Sequence, residues 1–267
     1  MSLSICYGKI VGFSNIWEND FPFDSDRYYT NGIQFTLFDE SGNTFGIGQK
    51  IYTPRTDLLD RKYAAHSYIY HTRVHYFQNL TVLYGLSLGL TGPIAKGEEV
   101  QNYIHTMIGI GKKNWNEGQT KNRLLISSNT MIAYILKENK LGFDYNLYPK
   151  LILNLGTPFV RIIPSLEFRV GYNLDNDLQE NRITLLSLKN KSNADFSFYV
   201  FAEFLQNVVF NNVLLNDYNR YHNGYVGGGT IRYKKLSLKY SVVYKTKEFL
   251  KQFRNHKYFS GNIHWDF

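Results

Sequence analysis

Leu80-Thr81-Val82-Leu83-Tyr84-Gly85-Leu86-Ser87-Leu88-Gly89-Leu90-Thr91 decides the fold. Leu80, Val82, Tyr84, Leu86, Leu88 and Leu90 take alternate positions, and the residues between them are mostly small. A period of two with one continuous apolar face is a β-strand. Strands of soluble domains usually stop near 5–6 residues, whereas a tilted strand needs about 9–11 to cross a bilayer. The run therefore predicts a membrane strand, with Ser87 among the small residues of its inner face. Gly85-Leu86-Ser87-Leu88-Gly89 also fits the Gly-x-Ser-x-Gly pattern of serine hydrolases, but it lies in mid-strand and not in a strand-to-helix elbow.

The same period recurs on both sides. Upstream, Tyr68, Tyr70, Thr72, Val74 and Tyr76 share one face and end in a tight turn at Phe77-Gln78-Asn79. Ile33, Phe35 and Leu37 alternate, Asp39–Asn43 turns the chain, and Phe45, Ile47 and Ile51 follow. Leu3–Phe13 reads as an opening strand. Downstream come Arg123–Ile135, Leu141–Ile152, Phe159–Tyr172, Phe196–Val208, Tyr225–Tyr233 and Leu236–Tyr244, the last two joined at Lys234-Lys235. The chain closes on Phe259, Gly261, Ile263, Trp265 and Phe267, like the closing strand of bacterial outer-membrane barrels. The total is about 12 strands, an even number as such barrels need. The expectation is a single all-β domain over residues 1–267, a transmembrane antiparallel β-barrel.

Strand parity sorts the connections. Ser14–Asn31, Tyr52–Tyr63 and Gly92–Asn122 fall on one side, which is extracellular if the N-terminus is periplasmic, and the short turns fall on the other. Asn173–Ala194 breaks the rule, implying either a local miscount by a strand pair or a periplasmic excursion. Inside Gly92–Asn122, Val100, Tyr103, Ile104, Met107 and Ile108 recur at helical spacing. A short helix in this extracellular loop is expected to pack against the barrel wall and hold His105 at a lipid-facing edge. Gln101 lies one turn before His105 on the same border.

Composition agrees. Of 267 residues, 43% are hydrophobic and 16% aromatic, with mean hydropathy −0.33. No run approaches the ~18 apolar residues of a membrane helix. The net charge of +8 suggests anionic partners. Scattered Lys and Arg without a recognition module argue against nucleic acid and for an anionic membrane or phosphorylated lipid. A single Cys6 excludes an intramolecular disulfide and a Cys-based metal cluster. It also makes a poor lipoprotein site, because Ile5 is too large for the position before it. Met1–Tyr7 lacks the basic start and length of a secretory signal, so a mature or trimmed chain is expected.

Chemistry concentrates in Trp17–Gly32. Glu18, Asp20, Asp24 and Asp26 crowd beside Asn19, Arg27, Thr30 and Asn31. Such acids repel one another unless a cation lies among them, so the segment is either a solvated loop or a site for a hard cation. Asp20 and the Asn19 carbonyl are oxygen donors suited to Ca²⁺. Six of the seven His lie in strands or at their ends, where a surface or girdle imidazole is the default. His105 differs in having a helical platform and Gln101 beside it. A His next to a carboxylate-bound cation is a workable hydrolase, the imidazole taking a proton from water.

These segments resemble a known family. Asn19-Asp20, then Asp26-Arg27-Tyr28-Tyr29-Thr30-Asn31-Gly32, is similar to the signature of the outer-membrane lipid A 3′-O-deacylases, the LpxR family. The likeness continues through Gly48-Gln49-Lys50-Ile51-Tyr52-Thr53-Pro54, Asp60-Arg61-Lys62-Tyr63-Ala64 and Gly92-Pro93. It then takes in Gly97-Glu98, Val100-Gln101-Asn102, His105, Trp115 and Gln119. The resemblance implies a twelve-stranded, Ca²⁺-dependent barrel that removes the 3′-linked acyloxyacyl group of lipid A by ester hydrolysis. His105 would be the base, with Asn19, Asp20 and Thr30 completing the catalytic set and Asp20 and Asn19 as metal ligands. Arg55, Arg61 and Gln101 would bind substrate, the arginines meeting lipid A phosphate in a loop shorter than the family's. The family pattern has an acidic residue near Asn122, where this chain has Lys121-Asn122-Arg123; if that acid helps bind metal, Glu117 or an acid in Trp17–Asp26 must substitute. The implied partner is lipopolysaccharide in the outer leaflet, acted on by a monomer integral to the bacterial outer membrane. Its site would face the extracellular leaflet. An outer-membrane phospholipase is the alternative enzyme, although Thr30-Asn31-Gly32 lacks the His and Ser of that motif. A porin or adhesin is the non-catalytic alternative.

Overall fold

The computed structural model describes residues 8–23, 27–55, 60–116, 118–140, 143–174, 182–184, 186, 195–215 and 217–267. Strands β1 (Ile10–Asn19), β2 (Tyr28–Asp39), β3 (Asn43–Thr53), β4 (Ala64–Phe77) and β5 (Leu80–Thr91) form an antiparallel meander. A loop carrying α1 (Gly97–Met107) leads to β6 (Arg123–Tyr134) and β7 (Leu136–Lys140). Then come β8 (Phe143–Gly156), β9 (Phe159–Tyr172), β10 (Phe196–Asn212), β11 (Tyr221–Tyr233), β12 (Leu236–Lys245) and β13 (His256–Asp266).

The sheet closes on itself. β13 pairs with β1, Phe13 opposite Trp265, and β6 pairs with β8. Ala133 faces Lys150 and Leu136 faces Leu147 in one unbroken register, so β7 continues β6 past Ile135. The molecule is therefore a closed antiparallel barrel of twelve staves, and closure removes every free edge.

Alternation sets the two surfaces. On β5, Tyr84, Leu86 and Leu88 point outward and are exposed, while Leu83, Ser87 and Thr91 point inward and are buried. Ser87 Oγ bonds Ser127 Oγ at 2.6 Å inside the barrel. The outward set continues around the wall through Phe35, Ile47, Ile69, Ile126, Phe168, Phe204, Tyr240 and Ile263. An apolar belt of this extent has hydrocarbon as its solvent. No helix among the described residues is long and apolar enough to cross a membrane.

The first strand is Ile10–Asn19, not Leu3–Phe13; residues 3–7 lie outside the described residues. The ladder runs to the rim because Glu18 and Asn19 have partners on both sides, Gly32 and Asn31 on β2, Ser260 and Phe259 on β13. An acidic residue is tolerated there because Glu18 faces inward, accepting bonds from the Tyr29 hydroxyl and the Ile183 N–H. The expected loop Ser14–Asn31 thus shrinks to residues 20–27. Strand β8 likewise runs on to Gly156 instead of stopping at Ile152.

Asn173–Ala194 joins β9 to β10 at the end that carries the termini. Its described part does not leave the barrel. Leu174 N–H donates to Asp144 Oδ2 at 2.7 Å, Arg182 pairs with Glu203 at 2.9 Å, and Ile183 N–H reaches Glu18 at 2.6 Å. Twelve staves were the right count, and the misfit in parity is a segment turned into the lumen. Beneath it Lys150 bridges Glu167 and Glu203, each at 2.8 Å. Pairing of this kind offsets the cost of burying these charges.

Candidate active site

At the long-loop end, one cleft lies between the barrel rim and α1. The helix begins after Gly92-Pro93 and carries Glu98 and Glu99 in its first turn, where acids complement the helix dipole. Its close approach to the wall depends on Gly97, where a Cβ would collide with Ala65 and the Trp115 ring.

Gly97, Gln101 and His105, spaced four apart, form the buried stripe of α1. Tyr103 and Met107 are 68% and 69% exposed. The helix packs on the wall as expected, in contact with β3 and β4, but the residues buried there are Gly97, Gln101 and His105. The rim offers Asp20, Thr30 and Asn31, so the polar edge of the helix turns inward and the apolar edge is left to lipid. His105 is accordingly held on the barrel side of the helix.

Its orientation comes from the returning loop. Asn102 clamps Lys113 through two bonds, Nδ2 to the Lys113 carbonyl at 2.9 Å and Oδ1 from its N–H at 2.7 Å. The loop then presents the Gly111 carbonyl 2.9 Å from His105 Nδ1. A carbonyl only accepts, so Nδ1 carries the proton and Nε2 is the basic nitrogen of the neutral ring. Gln101 Oε1 accepts from Trp115 Nε1 at 2.8 Å, and the fully buried Trp115 stacks on Tyr63 at 5.1 Å. Bridges from Tyr63 N–H to the Gly118 carbonyl and from Thr120 N–H to the Tyr63 carbonyl tie the loop to the start of β4.

The rim supplies the other wall. Asn19 Oδ1 caps the Phe21 N–H at 2.7 Å, and Asp20 Oδ2 accepts the Arg27 N–H at 3.1 Å. Thr30 Oγ1 lies 2.6 Å from Thr53 Oγ1. Asp20, Thr30, Gln101 and His105 are all at most 5% exposed. Asn19, Asp20, Thr30, Gln101 and His105 line the cleft together with Phe21, Asn31, Ile104, Ile108 and Ile110.

Arg55 and Arg61 do not line this cleft. Arg55 stacks over Phe253 at 4.3 Å, and Arg61 turns over Tyr52 at 4.8 Å into the upper lumen. Asp24, Asp26 and Glu117 lie outside the described residues. Asn31, marked in the sequence only as part of the acidic segment and its motif, also lines the cleft, and Thr53 supports it through Thr30.

The donor set suits a hard cation. Asp20 brings a carboxylate, Asn19 an amide oxygen and Thr30 a hydroxyl, the oxygen types Ca²⁺ prefers. Among the described residues no group of three or more His, Cys, Asp or Glu could hold a metal. A bound Ca²⁺ would therefore complete its shell with carbonyl, hydroxyl and water oxygens.

A family model described as outer membrane protein LpxR matches residues 9–267. The barrel is similar to LpxR from Salmonella typhimurium at TM-score 0.86 and 23% identity, over 96% of this chain and 100% of that one. It is also similar to the β domain of the Bordetella autotransporter Brka at TM-score 0.53 and 9% identity, over 97% and 99% of the two chains. No curated protein sequence matches the chain.

Proposed function

The chain belongs to the LpxR family of outer-membrane proteins, and on that premise we propose that it is a lipid A 3′-O-deacylase, a Ca²⁺-assisted carboxylic ester hydrolase. The observation that carries this reading is the meeting of Asn19–Asp20, Thr30 and Gln101–His105, three separated segments, in one cleft beside the lipid-facing wall.

In the proposed reaction, His105 Nε2 takes a proton from a water molecule as its oxygen bonds to the acyl carbon. The bond from that carbon to the sugar oxygen then breaks, and His105 returns the proton to the leaving alcohol. The Gly111 carbonyl fixes the imidazole tautomer for this cycle. Asp20 and Asn19 would hold Ca²⁺, with Thr30 and Gln101 as polar contacts that keep the ester in line. When bound, the ion supplies Lewis-acid stabilisation of the developing oxyanion.

The substrate would be lipid A of lipopolysaccharide in the outer leaflet, with the cleft on the extracellular side and the protein acting as a monomer. Tyr103, Met107, Ile108 and the rim residue Phe21 are all exposed apolar groups around the cleft. They suit a site bathed in lipid at the membrane interface. Tyr103→Lys or Met107→Lys should cost about 1 kcal/mol near the interface, which is about fivefold in the half-saturating lipid concentration. Turnover at saturation should be unchanged, and initial rates on lipid A vesicles check both values.

Mass spectrometry of lipid A and phospholipids incubated with the protein, with and without EGTA, tests the assignment. Loss of one acyloxyacyl unit from lipid A only when Ca²⁺ is available is the expected result. Release of phospholipid acyl chains instead would favour the phospholipase reading, and no product in either lipid would favour a porin or adhesin.

A further inference from the structure

A second chamber lies on the inner side of the wall from the cleft. It occupies the upper lumen as a cavity of ≈ 80 Å³, with Arg182 and Ile183 of the inward-turned segment among its lining residues. Arg161 and Lys245 remain partly exposed in it, so it communicates with solvent.

Among the described residues its charges do not balance. Lys50, Arg61, Arg161, Arg182 and Lys245 line it against two carboxylates, Glu18 and Glu248. Arg182 is paired with Glu203, and Lys245 with Glu248 at 3.1 Å. Burial works against charge on Glu248, but Lys245 and His222 beside it hold its pKa down to about 2, so it stays committed to that pair. Glu18 is taken up by the Tyr29 hydroxyl and the Ile183 N–H.

Lys50, Arg61 and Arg161 are left with neutral partners. Lys50 Nζ donates to the Ile183 carbonyl at 3.0 Å. Arg61 donates to the Lys62 and Leu214 carbonyls, each at 3.3 Å. Arg161 donates to Asn154 Oδ1 at 2.6 Å and lies over the Phe159 ring at 4.7 Å. None of the three forms an ion pair among the described residues. Cations desolvated together without a counter-charge are unfavourable, and an oxyanion among them would relieve that cost through charge-assisted bonds.

We propose that the upper lumen is a binding site for an oxyanion, a phosphate or carboxylate group, held between Lys50, Arg61 and Arg161. Glu18 and Tyr29 of the chamber are chain neighbours of Asn19–Asp20 and Thr30 of the cleft. At about 3.3 Å per strand residue, the two sites are separated by little more than the rim. The ligand could then be an anionic group on the headgroup of the lipid in the cleft, or a free oxyanion from the medium.

The test uses the whole protein in neutral detergent, titrated calorimetrically with inorganic phosphate against chloride at matched ionic strength. Saturable binding is expected for the unmodified protein. It should weaken about tenfold, or about 1.4 kcal/mol, in Lys50→Gln and in Arg161→Gln. A heat-modifiable gel shift establishes that both variants remain closed barrels, and Lys234→Gln, at the opposite end, serves as the control for net charge. Absence of saturable phosphate binding, or equal binding by closed Lys50→Gln and Arg161→Gln barrels, would overturn the proposal. Kinetics on lipid A with and without its phosphates identify the source. If Lys50→Gln raises KM only for the phosphorylated lipid, the headgroup is the ligand; if it raises neither, a free oxyanion is. Because binding is read without turnover, a failure of the deacylase reading leaves this result intact.

Discussion

His105→Ala should reduce ester release from lipid A by about 10²–10⁴-fold, the range expected when a positioned general base is removed. The barrel should still close, because His105 sits on a loop helix and its Nδ1 bonds the Gly111 carbonyl of the same loop. The gel shift on heating reads closure, and mass spectrometry of released acyl chains reads activity. His105→Gln is the second variant, since it keeps a polar side chain at the rim but has no basic nitrogen at pH 7. Equal loss in both points to proton transfer. Activity retained by either closed barrel would sink the assignment of His105 as base. A third variant, Asn102→Ala, removes the clamp on the Lys113 backbone while leaving the imidazole. It should lower the rate less than His105→Ala, because it loosens the loop that positions the ring and leaves the base itself in place.

Asp20→Asn should produce the other large effect. Asn keeps an oxygen that accepts the Arg27 N–H, now bonded at 3.1 Å to Asp20 Oδ2, so the rim turn is preserved. What disappears is the negative charge, and with it the proposed leading ligand for a hard cation. A loss on the order of 10²–10³-fold is expected, the range seen when transition-state charge stabilisation is removed. Raising Ca²⁺ should restore part of the rate, since weaker binding is offset by mass action. EGTA should silence the unmodified protein to a similar depth. Full activity of the unmodified protein in EGTA would remove the metal from the mechanism while leaving the His105 prediction standing.

Much of this architecture is legible in the sequence. Leu80–Thr91 announced a lipid-facing strand by its period alone, and the count of such runs came to twelve. The structure has twelve staves. The site was legible as separate pieces: an acidic segment near residue 20, a polar strand start at Thr30, and a His on a short helix. What joined them in the reading was the family likeness, because spacing along the chain says nothing about which loops meet at a rim.

The first strand was misplaced for an instructive reason. Trp17-Glu18-Asn19 reads as loop by composition, yet a lumen-facing Glu with two hydrogen-bond donors is a stable strand residue. The helix and its place on the wall are legible from its period, but not which of its edges turns to the barrel. In a water-soluble protein the apolar face would turn inward. At a bilayer the preference inverts, and Tyr103 and Met107 face outward while Gln101 and His105 face the rim.

Alternation is a property of neighbouring residues, so the sequence by itself determined most of the strands, their even number and the two-faced character of the wall. Closure of β13 onto β1, the turn of residues 182–184 into the lumen and the cations facing one another there depend on pairs far apart in the chain. Only the tertiary structure decided those, because a side chain buries its polar end where a partner waits, and the partner's place is fixed by the closed barrel.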